Sequence, residues 1–182
     1  LLFLGVNPAG RNDARVVNLA ESLTKSGMVV MIPWSQSMTE YRIDPKEIDN
    51  LVSAYKYLLD STYVDEKRVG IAGFCVGASL SVVAAANPEI RDNVKFINFF
   101  GGYFDAKDLM ISIASQTRYG TYGEQTWEPS QQTLKTFREH LISSLESEND
   151  RSLLSTINIS ENNKPMNESD LLTNDGLTVY KL

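Results

Sequence analysis

Few residues of this chain can do chemistry, and they are easily located. The sequence contains one Cys, Cys75, and one His, His140. Cys75 sits in the run Gly73-Phe74-Cys75-Val76-Gly77-Ala78-Ser79, after the apolar segment Arg68-Val69-Gly70-Ile71-Ala72 and before a small-residue helical pattern. A nucleophile between a strand and a helix sits on a tight turn, so the residues two before and two after it must be small. Gly73 and Gly77 fill both places. The positive end of the helix dipole favours a thiolate there, and the amide of Val76 would point at a developing oxyanion. The chemistry this suits is nucleophilic acyl transfer. The same pattern also fits a strand-to-helix turn whose glycines serve packing and whose cysteine is buried and inert.

The loop Gly5-Val6-Asn7-Pro8-Ala9-Gly10 follows the first apolar segment. Its Val6 or Asn7 amide could supply a second oxyanion donor; it could equally be a glycine-rich turn leading into a capped helix. A dinucleotide site is not supported. The G-x-G-x-x-G pattern is absent, and the second apolar run ends in Pro33-Trp34 with no acidic residue for a ribose. Asp105 follows the fourth apolar run, where a carboxylate could serve as an acid or as a helix N-cap. His140 lies in Thr136-Phe137-Arg138-Glu139-His140-Leu141-Ile142, a helical pattern far from the other candidates in sequence.

Other chemistry is excluded by arithmetic. One Cys forms no internal disulfide, and a Cys and His zinc cluster lacks ligands, so no metal or cofactor is expected. The net charge is −6, which argues against a nucleic-acid partner. No run approaches the roughly 18 apolar residues of a membrane span, and no signal peptide is legible, so a cytoplasmic location is expected. The asparagines of Asn158-Ile159-Ser160 and Asn167-Glu168-Ser169 match a glycosylation acceptor by chance. Trp34, Tyr41, Tyr103, Tyr119, Tyr122 and Trp127 could line an apolar pocket, although scattered aromatics more often belong to a core. The oligomeric state is not legible.

The elements that must position Cys75 follow from apolar periodicity. Strands are expected at Leu1–Val6, Met28–Ile32, Arg68–Gly73 and Val94–Phe100. A helix capped by Asn12 or Asp13 carries Val16, Val17, Leu19, Ala20 and Leu23, and Gly27 ends it. Asp44-Pro45-Lys46-Glu47 reads as a helix start, with Asp44 capping and Glu47 reaching back to it. Further helices are expected over Val76–Asn87 and from Asp105 to about Ser115. Alternating strands and helices with fully apolar strands predict an α/β fold with a doubly wound, mostly parallel sheet. Residues 121–182 differ, with 5 basic and 10 acidic residues, an amphipathic pattern over Ser130–Leu145 and no comparable strand. They are expected to form a helical lid or insertion beyond a core of residues 1–120. Both ends fall inside ordered-looking patterns, which reads as a fragment of a longer protein.

The stretches Gly5–Val16, Val69–Ser79 and Phe99–Asp105 together carry a family resemblance. The chain resembles the α/β-hydrolase superfamily, and within it the dienelactone-hydrolase-like proteins, over about residues 1–118. That resemblance implies a Cys nucleophile at Cys75, oxyanion amides at Val76 and Val6 or Asn7, and a small ester or lactone substrate. It also implies a catalytic acid and His on later strand ends, with Asp105 as a possible acid; efficient hydrolysis is not expected without them. Two other readings stay open. One is a glutamine-amidotransferase-like enzyme, which uses the same G-x-C-x-G turn but needs a His-x-Glu that His140-Leu141-Ile142 does not provide. The other is a hydrolase-fold binding protein whose Cys is not catalytic.

Overall fold

The computed structural model describes residues 1–157 and 172–181. It divides into two compact units, Leu1–Asp105 and Ala106 onward. The glycosylation-like triplets at Asn158 and Asn167 lie outside the described residues.

The first unit is α/β. Its strands are β1 (Leu2–Phe3), β2 (Ile71–Phe74) and β3 (Ile97–Phe100), all parallel, in the order β1-β2-β3. The register pairs Leu2 with Ala72, and Ile71 through Phe74 with Ile97 through Phe100. The helices are α1 (Ala14–Lys25), α2 (Gln36–Thr39), α3 (Glu47–Leu59) and α4 (Val76–Ala85). α4 packs on β2 and β3, and α3 packs on α4. Leu51, Tyr55, Ile71 and Ile90 are fully buried between them. The Asp13 carboxylate accepts from the Arg15 amide and so caps α1, as its sequence position suggests.

Two expectations about this unit are corrected. Met28–Ile32 forms no strand; the segment meets β1 through a single bond, from the Leu2 amide to the Met31 carbonyl at 2.8 Å. Met28 and Val29 are exposed there, so an apolar run alone did not secure a paired edge. Glu47 does not reach back to Asp44. Its carboxylate turns inward and accepts from the hydroxyls of Ser35 (2.5 Å) and Ser37 (2.7 Å), and from Asn50. β3 also departs from the rule for parallel strands, since all four of its residues are exposed.

The second unit begins earlier than residue 121 and is not wholly helical. It contains α5 (Ala106–Ser115), an antiparallel hairpin of β4 (Thr117–Gly120) and β5 (Gly123–Thr126), and α6 (Gln131–Ser144), α7 (Glu148–Thr156) and α8 (Asn174–Tyr180). The hairpin escaped the sequence reading because its strands are polar and β5 is exposed throughout. Ser130, Ser147 and Thr173 cap the last three helices through side-chain oxygens. Ile142, Leu145 and Leu154 form the small apolar centre of the unit. Among the described residues no helix is long and apolar enough to cross a membrane.

Candidate active site

The site is built around one turn. β2 ends at Phe74, α4 begins at Val76, and Cys75 alone joins them. Its backbone lies at φ 54° and ψ −138°, a strained conformation for a residue with a Cβ. Two bonds hold it: the Cys75 amide donates to the Phe100 carbonyl at 2.9 Å, and its carbonyl accepts from the Ala78 amide at 2.9 Å. The thiol is free and exposed.

The flanking glycines are required sterically. A Cβ on Gly73 would lie 2.4 Å from Ala78 Cα, and one on Gly77 would lie 2.4 Å from the Gly5 amide nitrogen and 2.9 Å from the Phe3 carbonyl oxygen. The start of α4 thus presses directly on the loop after β1. Gly5 adopts φ +70° to allow this, and a Cβ on it would meet the Phe74 carbonyl at 2.7 Å.

The Val76 amide is the first N–H of α4, so no carbonyl of that helix can accept from it. In the loop after β1, the Asn7 amide is already engaged, donating to the Met38 carbonyl at 3.2 Å. The Asn7 side chain donates to Asp13 at 3.3 Å and accepts from the Ala9 amide, which pins the loop to the start of α1. The Arg15 side chain and amide hold the Asp13 carboxyl well below the usual carboxylate range.

A shallow surface depression adjoins this loop. Phe3, Leu4, Gly5, Asn7, Gly10, Arg11, Pro33, Trp34, Ser35, Met38 and Thr39 line it. Cys75 does not line it, but Gly5 touches both the depression and the Cys75 turn.

The remaining sequence candidates are placed as follows. Asp105 is the last residue of the first unit and directly precedes α5. His140, the one imidazole of the chain, lies on α6 in the second unit, half-buried. Among the described residues no group of three or more His, Cys, Asp or Glu side chains could hold a metal ion. Of the scattered aromatics, Trp34 lines the depression and Tyr103 packs against the core of the first unit; the Tyr119 side chain lies outside the described residues.

One contact was not anticipated. Ser79 donates its hydroxyl to the Tyr103 carbonyl (2.8 Å) and accepts from the Tyr103 amide (2.9 Å). This ties the segment after β3 to α4 one turn beyond Cys75. The sequence signal was only a Ser at the end of the turn motif and one aromatic among many.

The matched relative "Probable 2-oxo-3-(5-oxofuran-2-ylidene)propanoate lactonase" of Bradyrhizobium sp is 40% identical over 53 residues, or 29% of this chain. The chain spans about a fifth of that relative's length (21%). No solved structure matches. The model of the Dienelactone hydrolase family matches residues 33–147, a span that holds β2, the Cys75 turn, α4 and β3. On that match over more than half its length, the chain belongs to the dienelactone hydrolase family, within the α/β-hydrolase superfamily.

Proposed function

We propose that this chain carries the nucleophile and oxyanion half of a site that opens esters or lactones by acyl transfer, with Cys75 as the nucleophile. The observation that supports it best is the strained Cys75 backbone between β2 and α4, with glycines two residues either side in direct backbone contact. Strain of this kind is kept where the surroundings over-determine it, and it aims the side chain outward from the sheet's carboxyl edge.

In the proposed reaction the Cys75 thiolate attacks the carbonyl carbon. A C–S bond forms, the carbonyl oxygen becomes an oxyanion, and the Val76 amide donates to it. A second donor would come from the loop after β1, at Val6 or Asn7; the Asn7 amide would have to leave the Met38 carbonyl to serve. Collapse breaks the C–O bond to the leaving oxygen, which takes up a proton. Water then attacks the thioester, and the products are the acid and the regenerated thiol. The relative's printed name is that of a lactonase on a propanoate. A substrate bearing a carboxylate would find a cation near Gly5 in Arg11, which is exposed and has no ion-pair partner among the described residues. Asp105 is retained as a possible acid on its position alone.

The hydrolytic step needs a proton acceptor, and no imidazole lies in the first unit. Acylation is therefore expected to outrun deacylation. With p-nitrophenyl acetate the chain should release about one equivalent of nitrophenolate per molecule in a burst, then turn over slowly. Mass spectrometry should find the acetyl group on Cys75, and Cys75→Ala should remove the burst. Absence of any acylated Cys75 would sink this reading and favour a hydrolase-fold binding protein instead.

A further inference from the structure

Two hydrogen-bonded ties join the segment after β3 to the turn between β2 and α4. At one end the Cys75 amide donates to the Phe100 carbonyl at 2.9 Å, just past the Phe74–Phe100 pair that closes the β2–β3 register. At the other end the Ser79 hydroxyl donates to the Tyr103 carbonyl (2.8 Å) and accepts from the Tyr103 amide (2.9 Å). These ties and the two short stretches they join, residues 75–79 and 100–103, form a closed ring. One stretch of that ring is Cys75 with the first turn of α4.

The segment after β3 is shaped to reach Ser79. Gly101 adopts φ +67°, and a Cβ on Gly102 would lie 2.9 Å from the Ser79 hydroxyl oxygen and 2.4 Å from the Phe99 ring. A serine inside a helix commonly bonds back to a carbonyl of its own helix or turns to solvent. Ser79 is buried and gives its proton to a residue 24 positions away instead. The turn has need of such a tie. The Cys75 conformation, at φ 54° and ψ −138°, persists only where its surroundings over-determine it. The close approach of Gly77 to Gly5 and Phe3 confines the turn from the β1 side, and the ring confines it from the β3 side.

We infer that Ser79 is a positioning residue for Cys75. By latching the segment from Phe100 to Tyr103 onto α4, it keeps the Phe100 carbonyl on the Cys75 amide and holds the strained turn in place. Its purpose rests on the acyl-transfer reading, whereas the latch itself can be read without any chemistry. Acylation requires the sulfur and the Val76 amide to be fixed about one carbonyl group, and a small misplacement of either lowers the rate.

The test is Ser79→Ala in the intact chain, with two readouts. The first is amide hydrogen exchange followed by NMR. The Cys75 amide should exchange about fivefold to tenfold faster, while the Ile71 amide, which donates to the Phe96 carbonyl at 3.0 Å at the other end of the same ladder, should keep its rate. The second is acetyl transfer from p-nitrophenyl acetate to Cys75, which should slow about threefold to tenfold per folded molecule. Gly102→Ala, which presses a Cβ onto the Ser79 oxygen, should move both readouts the same way. Equal acceleration at Cys75 and Ile71 would show a residue that only stabilises the unit, and would overturn the inference. So would unchanged exchange at Cys75, or acylation at the wild-type rate by a turn that has loosened. If the wild type forms no acyl-Cys75, the hydrolase reading falls, and the exchange rates alone decide whether Ser79 holds the turn.

Discussion

At the scale of single residues, the structure turns two polar side chains toward the core and makes each answerable by experiment. Glu47 has only 6% of its surface exposed and takes its hydrogen bonds from two serine hydroxyls and an asparagine, none of them charged. Glu47→Ala removes the acceptor both hydroxyls share, leaving them only each other at 3.1 Å, and should cost about 2 kcal/mol in urea unfolding, while Glu47→Gln, which keeps an acceptor, should cost less. Tyr55 is fully buried, and its hydroxyl donates to the Val69 and Asn93 carbonyls, both at 3.1 Å. Burial pushes it up to about 12 from 10.0. A group raised in the folded state stabilises fully below its unfolded value and loses that contribution as pH rises through the folded one. Stability should therefore decline between pH 10 and about 12. Tyr55→Phe should lose about 1 kcal/mol at neutral pH and flatten this alkaline decline in the melting temperature.

At the scale of elements, the contact between the start of α4 and the loop after β1 is what fixes the site. Gly77→Ala would drive a Cβ into the Gly5 and Phe3 backbone, where no flexible side chain can yield. It should cost upwards of about 2 kcal/mol and weaken Cys75 acylation together with stability. Gly120→Ala, in β4, meets nothing within 4 Å and should stay within about 0.5 kcal/mol of the parent. In the second unit the joint is Asp150, which is fully buried and accepts from the Thr173 hydroxyl and amide. These bonds hold its carboxyl below its ordinary value, so their stabilisation is present above the unfolded value and is lost as pH falls through the folded one. Asp150→Asn should lower the stability of this unit at neutral pH and weaken its sensitivity to acid, read by circular dichroism on acid titration.

At the scale of the molecule, the exposed apolar residues of the first unit are the main liability. Ile97, Phe99 and Phe100 of β3 are exposed, as is Phe96 just before it, and Phe100 is 65% exposed. β3 has a neighbour, β2, on one side only among the described residues. An unprotected strand edge with apolar side chains favours association. Light scattering should show concentration-dependent growth at net charge −6, and Phe100→Lys should reduce it. Monomers of constant mass up to millimolar concentration would contradict this.

Much of the first unit was legible because its signals are local. The alternation of apolar runs and capped helices declares parallel pairing, and Gly73, Cys75 and Gly77 declare a turn in which only glycine clears the packing. The sequence likewise located the one thiol at that turn. What it left open depends on contacts across long separations. Met28–Ile32 has strand composition, yet pairing requires an edge in register, and one bond to Leu2 is all that forms. Glu47 carries a capping-box pattern, yet two serines ten and twelve residues away take its carboxylate. Ser79 and Tyr103 are 24 residues apart and unremarkable separately. Only the parallel step from β2 to β3 brings them together near Cys75, because a parallel crossover returns the chain to the same sheet edge at which the Cys75 turn lies.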